Sequence, residues 1–260
     1  MQTLTPEQAR EIMHVVSYGG GVNSTALLIG LLERNCRPDV ILFADTGGEF
    51  PDVYPTVEKF SAWLVERGFP AIVTVRYERE TLEQNCLRMG MLPSLAYGRR
   101  GCSQKFKIQP QEKYLNNHPK AQAVWKSGGK VIKAIGYDAG ESYRAKITDD
   151  EKYAYVYPLI SWGWGRAKCE EVIHKNKLCA NKSACFFCPA SRKGEVLAMK
   201  QHYPDLLARA VEMELTAAEN LETVKGLGGR WAWGDLIEAD ESQQKLFDDN
   251  RAERGCMCHD

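Results

Sequence analysis

The sequence predicts an α/β fold: a doubly wound, mostly parallel sheet with helices on both faces, plus a cysteine-rich helical C-terminal region. Three observations predict it. Between His14 and Tyr77, β-rich runs alternate with helical runs, which is the pattern of βαβ units. A run of three glycines, Gly19 to Gly21, joins the first strand to the first helix. The cysteines gather toward the C-terminus in a stretch of different composition. The expected division is an α/β domain carrying the glycine turn over residues 1–165 and a helical cysteine-rich region over 166–260 packed on it.

The elements follow in order. Thr5-Pro6-Glu7 reads as a helix start, with Thr5 as cap and Pro6 at the first position. Val15 to Tyr18 is the first strand. The helix after it runs from Ser24 to about Asn35 and ends before Pro38. Asp39 to Ala44 is a buried parallel strand. Pro51 opens a helix with Val57, Phe60, Leu64 and Val65 at helical spacing. Ala71 to Tyr77 is the third strand, and Glu78 to Gln104 reads as polar loop. Lys130 to Tyr137 is the fourth strand. Helices are expected at about Arg166–Asn176 and from Tyr203, a loop at Gly226–Gly234, and a charged helix or tail at Asp240–Arg254.

Bulk composition bounds the function. At 260 residues, 44% hydrophobic and 26% charged, the chain can bury a sizeable core. Its formal net charge of zero removes a global basic field, so nucleic acid would need a local patch or a partner protein. Glu7, Arg10 and Glu11 precede any apolar run, and no stretch approaches a membrane span. A cytoplasmic location is expected, with the nine cysteines reduced: Cys36 and Cys86 stand alone as structural residues, and the other seven read as ligands or catalytic thiols.

His14 to Thr25, HVVSYGGGVNST, organises the rest. A strand, a glycine turn and a helix N-terminus together form a phosphate-binding arrangement. Glycine lets the backbone approach an anion, and the helix end offers unpaired N–H groups. The stretch lacks the lysine of GxxxxGKS/T and the spacing of GxGxxG. It resembles the PP-loop, SGGxDS, of the adenine-nucleotide alpha-hydrolase families, through Ser17, Gly20, Gly21, Asn23 and Ser24. It departs from that loop by an extra Tyr18-Gly19 and by Asn23 in place of Asp.

Further segments carry a resemblance to the phosphoadenylyl-sulfate (PAPS) reductase family within that superfamily. Asp45-Thr46-Gly47-Gly48-Glu49-Phe50-Pro51-Asp52-Val53-Tyr54 is similar to DTGxxFPETY. Cys102 to Pro110 resembles the CCxxRKVxPL segment of cluster-containing adenylyl-sulfate (APS) reductases, with Ser103 where the second cysteine stands. Gly136 to Arg144 resembles GxRxxESxxR, matching at Glu141, Ser142 and Arg144, with Asp138 where Arg is frequent. Tyr157 to Trp162 resembles PLxxW. The terminal Cys256-Met257-Cys258-His259 shares the C-x-x-H spacing of the ECGLH tail whose cysteine attacks sulfur, though Gly255 replaces the Glu.

Cys179 to Pro189 is the densest ligand stretch. Its Cys185 and Cys188 form C-x-x-C, which suits zinc, an iron–sulfur cluster or a redox disulfide. The resemblance favours a 4Fe-4S cluster on Cys102, Cys179, Cys185 and Cys188, with zinc as the alternative and Cys169 as another fourth ligand. Lys182, Arg192 and Lys193 flank it.

The resemblance implies ATP and Mg2+ at the glycine turn. The implied nucleotide contacts are Ser17, Gly19, Gly20, Gly21, Asn23, Ser24, Thr25, Asp45, Thr46, Gly47, Gly136 and Glu141. Ser24, Lys107, Arg144 and Cys256 are the implied catalytic residues. The expected reaction is adenylation of an acceptor for sulfur insertion into nucleic acid, as in DNA phosphorothioation or tRNA thiolation. A cysteine desulfurase would donate the sulfur. Nucleic acid would meet a patch of Arg99, Arg100, Lys105 and Lys107. The alternatives are an APS or PAPS reductase served by thioredoxin, with Cys256 as nucleophile, and a non-catalytic nucleotide-binding module.

Overall fold

A computed structural model describes residues 12–180 and 183–254, with side chains to residue 243. The helix start at Thr5-Pro6, Lys182, and the tail with Cys256, Cys258 and His259 lie outside the described residues. The chain forms two compact units. One takes in the residues up to Arg79 together with Ser103–Cys185; the other takes in Glu80–Cys102 and the residues from Phe186 on. This division differs from a cut at residue 165, because the 80–102 excursion joins the later helices and the chain up to Cys185 stays with the sheet.

The first unit is the α/β body. Its strands are β1 (Met13–Tyr18), β2 (Val40–Asp45), β3 (Ile72–Arg76), β4 (Val131–Ile135) and β5 (Tyr153–Val156). They lie in the order β3-β2-β1-β4-β5, and every pairing is parallel. β2 is buried at all six positions, as a central strand covered on both faces must be. Along β1 and β2 the side chains alternate between two cores. Val16, Tyr18, Ile41 and Phe43 pack with α1 (Val22–Glu33) and α2 (Val53–Val65). Met13, Val15, Val40 and Leu42 pack under Leu115, Ala121 and Val124 of the helices Gln109–Asn116 and Pro119–Lys126. The doubly wound, two-faced sheet is therefore as expected.

Local sequence explains the helices. α2 buries Val53, Val57, Phe60 and Leu64 on one stripe, whereas Val65 falls off that stripe and is half exposed. α1 is apolar almost all round because it is covered by the helix Arg166–Lys175 and by Trp162 and Trp164. A Cβ on Gly30 would stand 2.4 Å from the Trp162 ring, so glycine admits that indole. Among the elements of this unit beyond those the sequence predicts are the two helices over 109–126 and the short edge strand β5. Both helices open with proline in their first turn, a start signal that was present.

The second unit is helical. Leu82–Met89 stands where polar loop was expected. Thr81 and Gln84 form a capping box at its start, and Gly90 ends it at φ +57°. Arg209 of the helix Pro204–Ala217 forks onto the Glu83 carboxylate, with Nε at 2.8 Å from Oε1. Glu214 is buried and accepts the backbone N–H groups of Leu227, Trp233 and Gly234. Those three bonds hold the expected 226–234 loop. The helix Trp233–Arg254 follows, longer than predicted.

Candidate functional site

The strand order reverses between β1 and β4, and in open α/β sheets ligands bind beyond the carboxyl ends of the strands at such a reversal. There the glycine turn leads into α1. Gly21 is the N-cap and offers no side chain, and the first turn carries no acidic residue. The leading N–H groups of α1 are thus open to an anion. Ser24 and Thr25 brace the turn. Each hydroxyl donates to the Gly21 carbonyl at 3.0 Å, and Ser24 Oγ also accepts the Gly19 N–H at 3.2 Å. Tyr18 meets Thr25 Oγ1 at 3.2 Å, and burial pushes its phenol up to about 12. Ser17 turns to the opposite face and donates to Gln111 Oε1 at 2.8 Å, so it supports the strand below the turn.

The end of β4 completes one wall. Gly136 packs on the start of α1, where a Cβ would stand 3.0 Å from Ser24 Cα and 3.1 Å from its nitrogen. Past it, Asp138 Oδ1 caps the 3-10 turn Ala139–Arg144 by accepting from Gly140 at 2.9 Å and Glu141 at 3.2 Å. Asn23 reaches across from α1. Its Nδ2 donates to Asp138 Oδ2 at 3.1 Å and Glu141 Oε2 at 2.9 Å. Arg144 pairs with the other oxygen of Glu141 and lies 4.3 Å over the Tyr137 ring. Asn23 Oδ1 is buried with no hydrogen-bond partner among the described residues.

The end of β2 makes the other wall. Asp45 is buried, and its oxygens accept from Gly47 N–H at 2.7 Å, Tyr54 at 3.2 Å and the Arg76 fork at 2.7 and 2.5 Å. A carboxylate has about four acceptor sites, so Asp45 is saturated. It holds the loop, and a role in gripping a nucleotide does not fit it. Thr46 donates to Glu49 Oε1 at 3.3 Å and meets Cys185 Sγ at 3.1 Å. Glu49 was not singled out in the sequence, yet it is 5% exposed. Lys107 stands 3.7 Å away, and Glu49 Oε2 has no hydrogen-bond partner among the described residues. Burial pushes its carboxyl above the usual range, partly offset by Lys107. Glu49 also bridges Cys185 through the backbone, and Ser183 donates to the Gly19 carbonyl. The cysteine-bearing segment is thereby tied to the glycine turn.

The description "phosphoadenosine phosphosulfate reductase domain" matches residues 13–178, well over half of the chain. The chain belongs to this family. Two uncharacterized proteins of Methanocaldococcus jannaschii are 24% identical over 240 residues and 25% identical over 235 residues. The alignments take in 89% and 84% of this chain but 54% and 45% of those proteins, so the chain spans about half the length of the curated relatives it matches. Two solved structures are similar at a TM-score of 0.44. The PAPS reductase of Candida auris, as its phosphate complex, is 18% identical and covers 66% of this chain and 75% of its own. The U34-tRNA thiolase NcsA of Methanococcus maripaludis, with its 4Fe-4S cluster, is 16% identical and covers 82% and 74%.

Within this PAPS reductase-domain chain the cysteines fall as follows. Cys179 is exposed and Cys185 buried in the first unit; Cys102 and Cys188 are half-buried in the second. Among the described residues no group of three or more His, Cys, Asp or Glu side chains is placed to hold a metal ion. Neither unit contains more than two of the four expected ligands, so the thiolate site is not assembled within either. Cys169 is buried under α1, with burial pushing its thiol up to about 11, which suits packing. Of the expected basic patch, Arg99 and Arg100 are exposed in the second unit. In the first, Lys105 stands over the Tyr77 ring at 4.9 Å and Lys107 turns to Glu49. A magnesium ion is a different matter. Oxygen donors suit it, and the carboxylates of Asp138 and Glu141 are such donors beside the α1 N-terminus. Among the described residues no helix is long and apolar enough to cross a membrane.

Proposed function

We propose that the chain binds ATP by its phosphates at the glycine turn and adenylates an acceptor for sulfur insertion into nucleic acid. The observation that supports this most is the uncapped start of α1 at the strand reversal, faced by Asn23, Asp138 and Glu141. The backbone N–H groups there hold the phosphates in line, and Gly19 to Gly21 let them come close. The acceptor oxygen attacks the α-phosphorus, the bond to the β-phosphate oxygen breaks, and pyrophosphate leaves. A magnesium ion held by the Asp138 and Glu141 carboxylates would neutralise charge building on that leaving group. Arg144, fixed by Glu141 and Tyr137, is the positioned guanidinium on this wall. The outer sulfur of a persulfide, carried by a partner of the cysteine desulfurase type, then displaces AMP to give an acceptor–carrier disulfide, and a thiol reductant attacks the carrier's sulfur, releasing the thiolated acceptor and leaving the carrier as a mixed disulfide.

The test is product analysis with ATP, APS and PAPS side by side under anaerobic conditions. Pyrophosphate released from ATP, and less of it at limiting ATP from an Asn23→Ala variant, is the expected result. Sulfite release from APS or PAPS with a thiol donor would replace this reading with the reductase. Nucleotide binding without turnover of any of the three would leave a binding module.

A further inference from the structure

Charge in the second unit is sorted along the chain. Residues 84–102, 186–194 and 223–234 contain no Asp or Glu, while most of the unit's carboxylates sit on the helices Pro204–Ala217 and Trp233–Arg254. Packing brings the three acid-free stretches together. Lys225 N–H donates to the Gly229 carbonyl at 2.7 Å, which folds 225–230 into a tight turn with Gly229 at φ +71°. A Cβ on Gly229 would stand 3.4 Å from the Ala96 carbonyl oxygen, so this turn lies against the 3-10 turn Ser94–Tyr97 that leads into Arg99 and Arg100. Lys193, at the start of the helix Lys193–His202, places its Nζ 5.6 Å from the centre of the Trp231 ring.

The cations of this junction are not spent on the protein's own carboxylates. Arg99, Arg100, Lys193, Lys225 and Arg230 are all exposed. The ion pairs of the unit use other residues: Arg88 with Glu80, Arg209 with Glu83, and Lys200 with Asp240 and Glu241. Among the described residues none of the five makes an ion pair or a side-chain hydrogen bond. The nearest acids are occupied or outside the turn. Glu195 accepts the Arg192 N–H at 2.9 Å, and Glu214 is buried on three N–H groups of the loop. Glu222 and Asp235 flank the loop at its two ends in the sequence. Trp231 stands among the cations, partly exposed and packed on Gly228, where a Cβ would lie 2.2 Å from the indole.

We infer that this face of the second unit binds a single-stranded polynucleotide, with Arg99, Arg100, Lys193, Lys225 and Arg230 on its phosphates and Trp231 against a base. Exposed cations with no carboxylate beside them draw a phosphate chain locally, and the counterions that the chain releases drive binding although the whole protein is neutral. Guanidinium groups suit the paired oxygens of a phosphate. An aromatic ring between cations gives unpaired bases a surface to stack on, which a duplex or an acidic peptide does not use. The patch differs from the one read in the sequence. Arg99 and Arg100 stay, and Lys193, Lys225 and Arg230 replace Lys105 and Lys107, which turn to Tyr77 and Glu49 in the first unit. That the bound strand is the acceptor for sulfur rests on the function proposed above; binding itself does not.

Fluorescence anisotropy of a labelled single-stranded oligonucleotide, titrated with the full chain in the absence of ATP, tests this surface. Arg99→Ala with Arg100→Ala, and separately Lys193→Ala with Arg230→Ala, should each flatten the dependence of log affinity on log salt by about 1.4. That is about 0.7 for each phosphate contact on a single strand, and it weakens binding roughly 25-fold at about 0.1 M salt. Lys200→Ala, which removes a cation already held by Asp240 and Glu241, should bind as the wild type does. Circular dichroism melts of the double variants should match the wild type. Wild-type affinity in either double variant would overturn the inference. So would a duplex bound as tightly as the single strand, or polyglutamate that competes as well as the oligonucleotide. Binding that both double variants weaken, in a chain that releases no pyrophosphate from ATP, would keep the surface and remove the proposed reaction.

Discussion

The ends of β2 and β4 each present an acidic loop to the same crevice, and they are built to opposite rules. At β2, Asp45 is fully occupied by Arg76, Tyr54 and Gly47. At β4, Asp138 and Glu141 converge on one amide, and Asn23 Oδ1 has no hydrogen-bond partner among the described residues. Buried polar atoms are nearly always satisfied, so an orphan marks a place where something else is expected. Sequence motifs put Asp45 and Glu141 on one footing as nucleotide contacts. Geometry separates them: the first is a brace and the second faces the open helix start.

Substitutions can break that comparison. The largest effect is expected from Asp45→Ala, which strands the Arg76 fork and removes four bonds from the loop. Urea unfolding should show a loss of about 2–3 kcal/mol, because Arg76 is exposed and water takes its guanidinium, while nucleotide affinity of the folded fraction stays within a few fold. Lost affinity with unchanged stability would exchange the roles of the two walls. Next is Asn23→Ala, which should weaken ATP by roughly 10–100-fold, about 1.4–2.8 kcal/mol, by titration calorimetry, with little change in melting. The comparison fails if affinity holds.

Two smaller tests concern buried charge. Lys133 on β4 is 4% exposed and lies 3.7 Å over the Tyr153 ring. Burial lowers its amine from 10.5 to about 8, against the pull of Glu112 and Asp150. A depressed value means that the unfolded chain takes up this proton first. Stability is therefore lost as pH falls from about 10.5 to about 8, and the loss is complete below that. Lys133→Met should gain about 2 kcal/mol at pH 7 and flatten the slope in that window. A variant that follows the wild-type slope would place the titration elsewhere. The smallest effect belongs to Glu49→Gln. Burial raises this carboxyl, so its ionised form costs stability as pH rises through the raised value. The variant should be more stable at pH 7 by about 0.5–1 kcal/mol, with the gap closing toward pH 4.5, the ordinary value. A gap that widens on acidification would show that the Lys107 pairing outweighs burial.

Much of the site was legible in the residues because it is local. The glycine turn, the start of α1 and the DTG loop each lie within a dozen residues, and short-range chemistry marks them. Asn23 looked like a departure from the PP-loop pattern, and its role emerges only with Asp138 and Glu141, more than a hundred positions away. Glu49 had no signal of its own, since a glutamate after glycines reads as solvated loop. Its burial comes from Cys185 and Lys107 arriving over it. The helices at 82–89, 109–116 and 119–126 carried cap and proline signals, but their short apolar faces were too brief for periodicity to stand out.

The sequence by itself determined the parallel sheet, its winding and the place of the glycine turn, because hydrophobic runs and glycines act on their immediate neighbours. The tertiary structure decided which carboxylates are spent and which are available. It also decided which cysteines share a unit. Those outcomes depend on what distant segments deliver to a given atom, and no local pattern encodes that delivery.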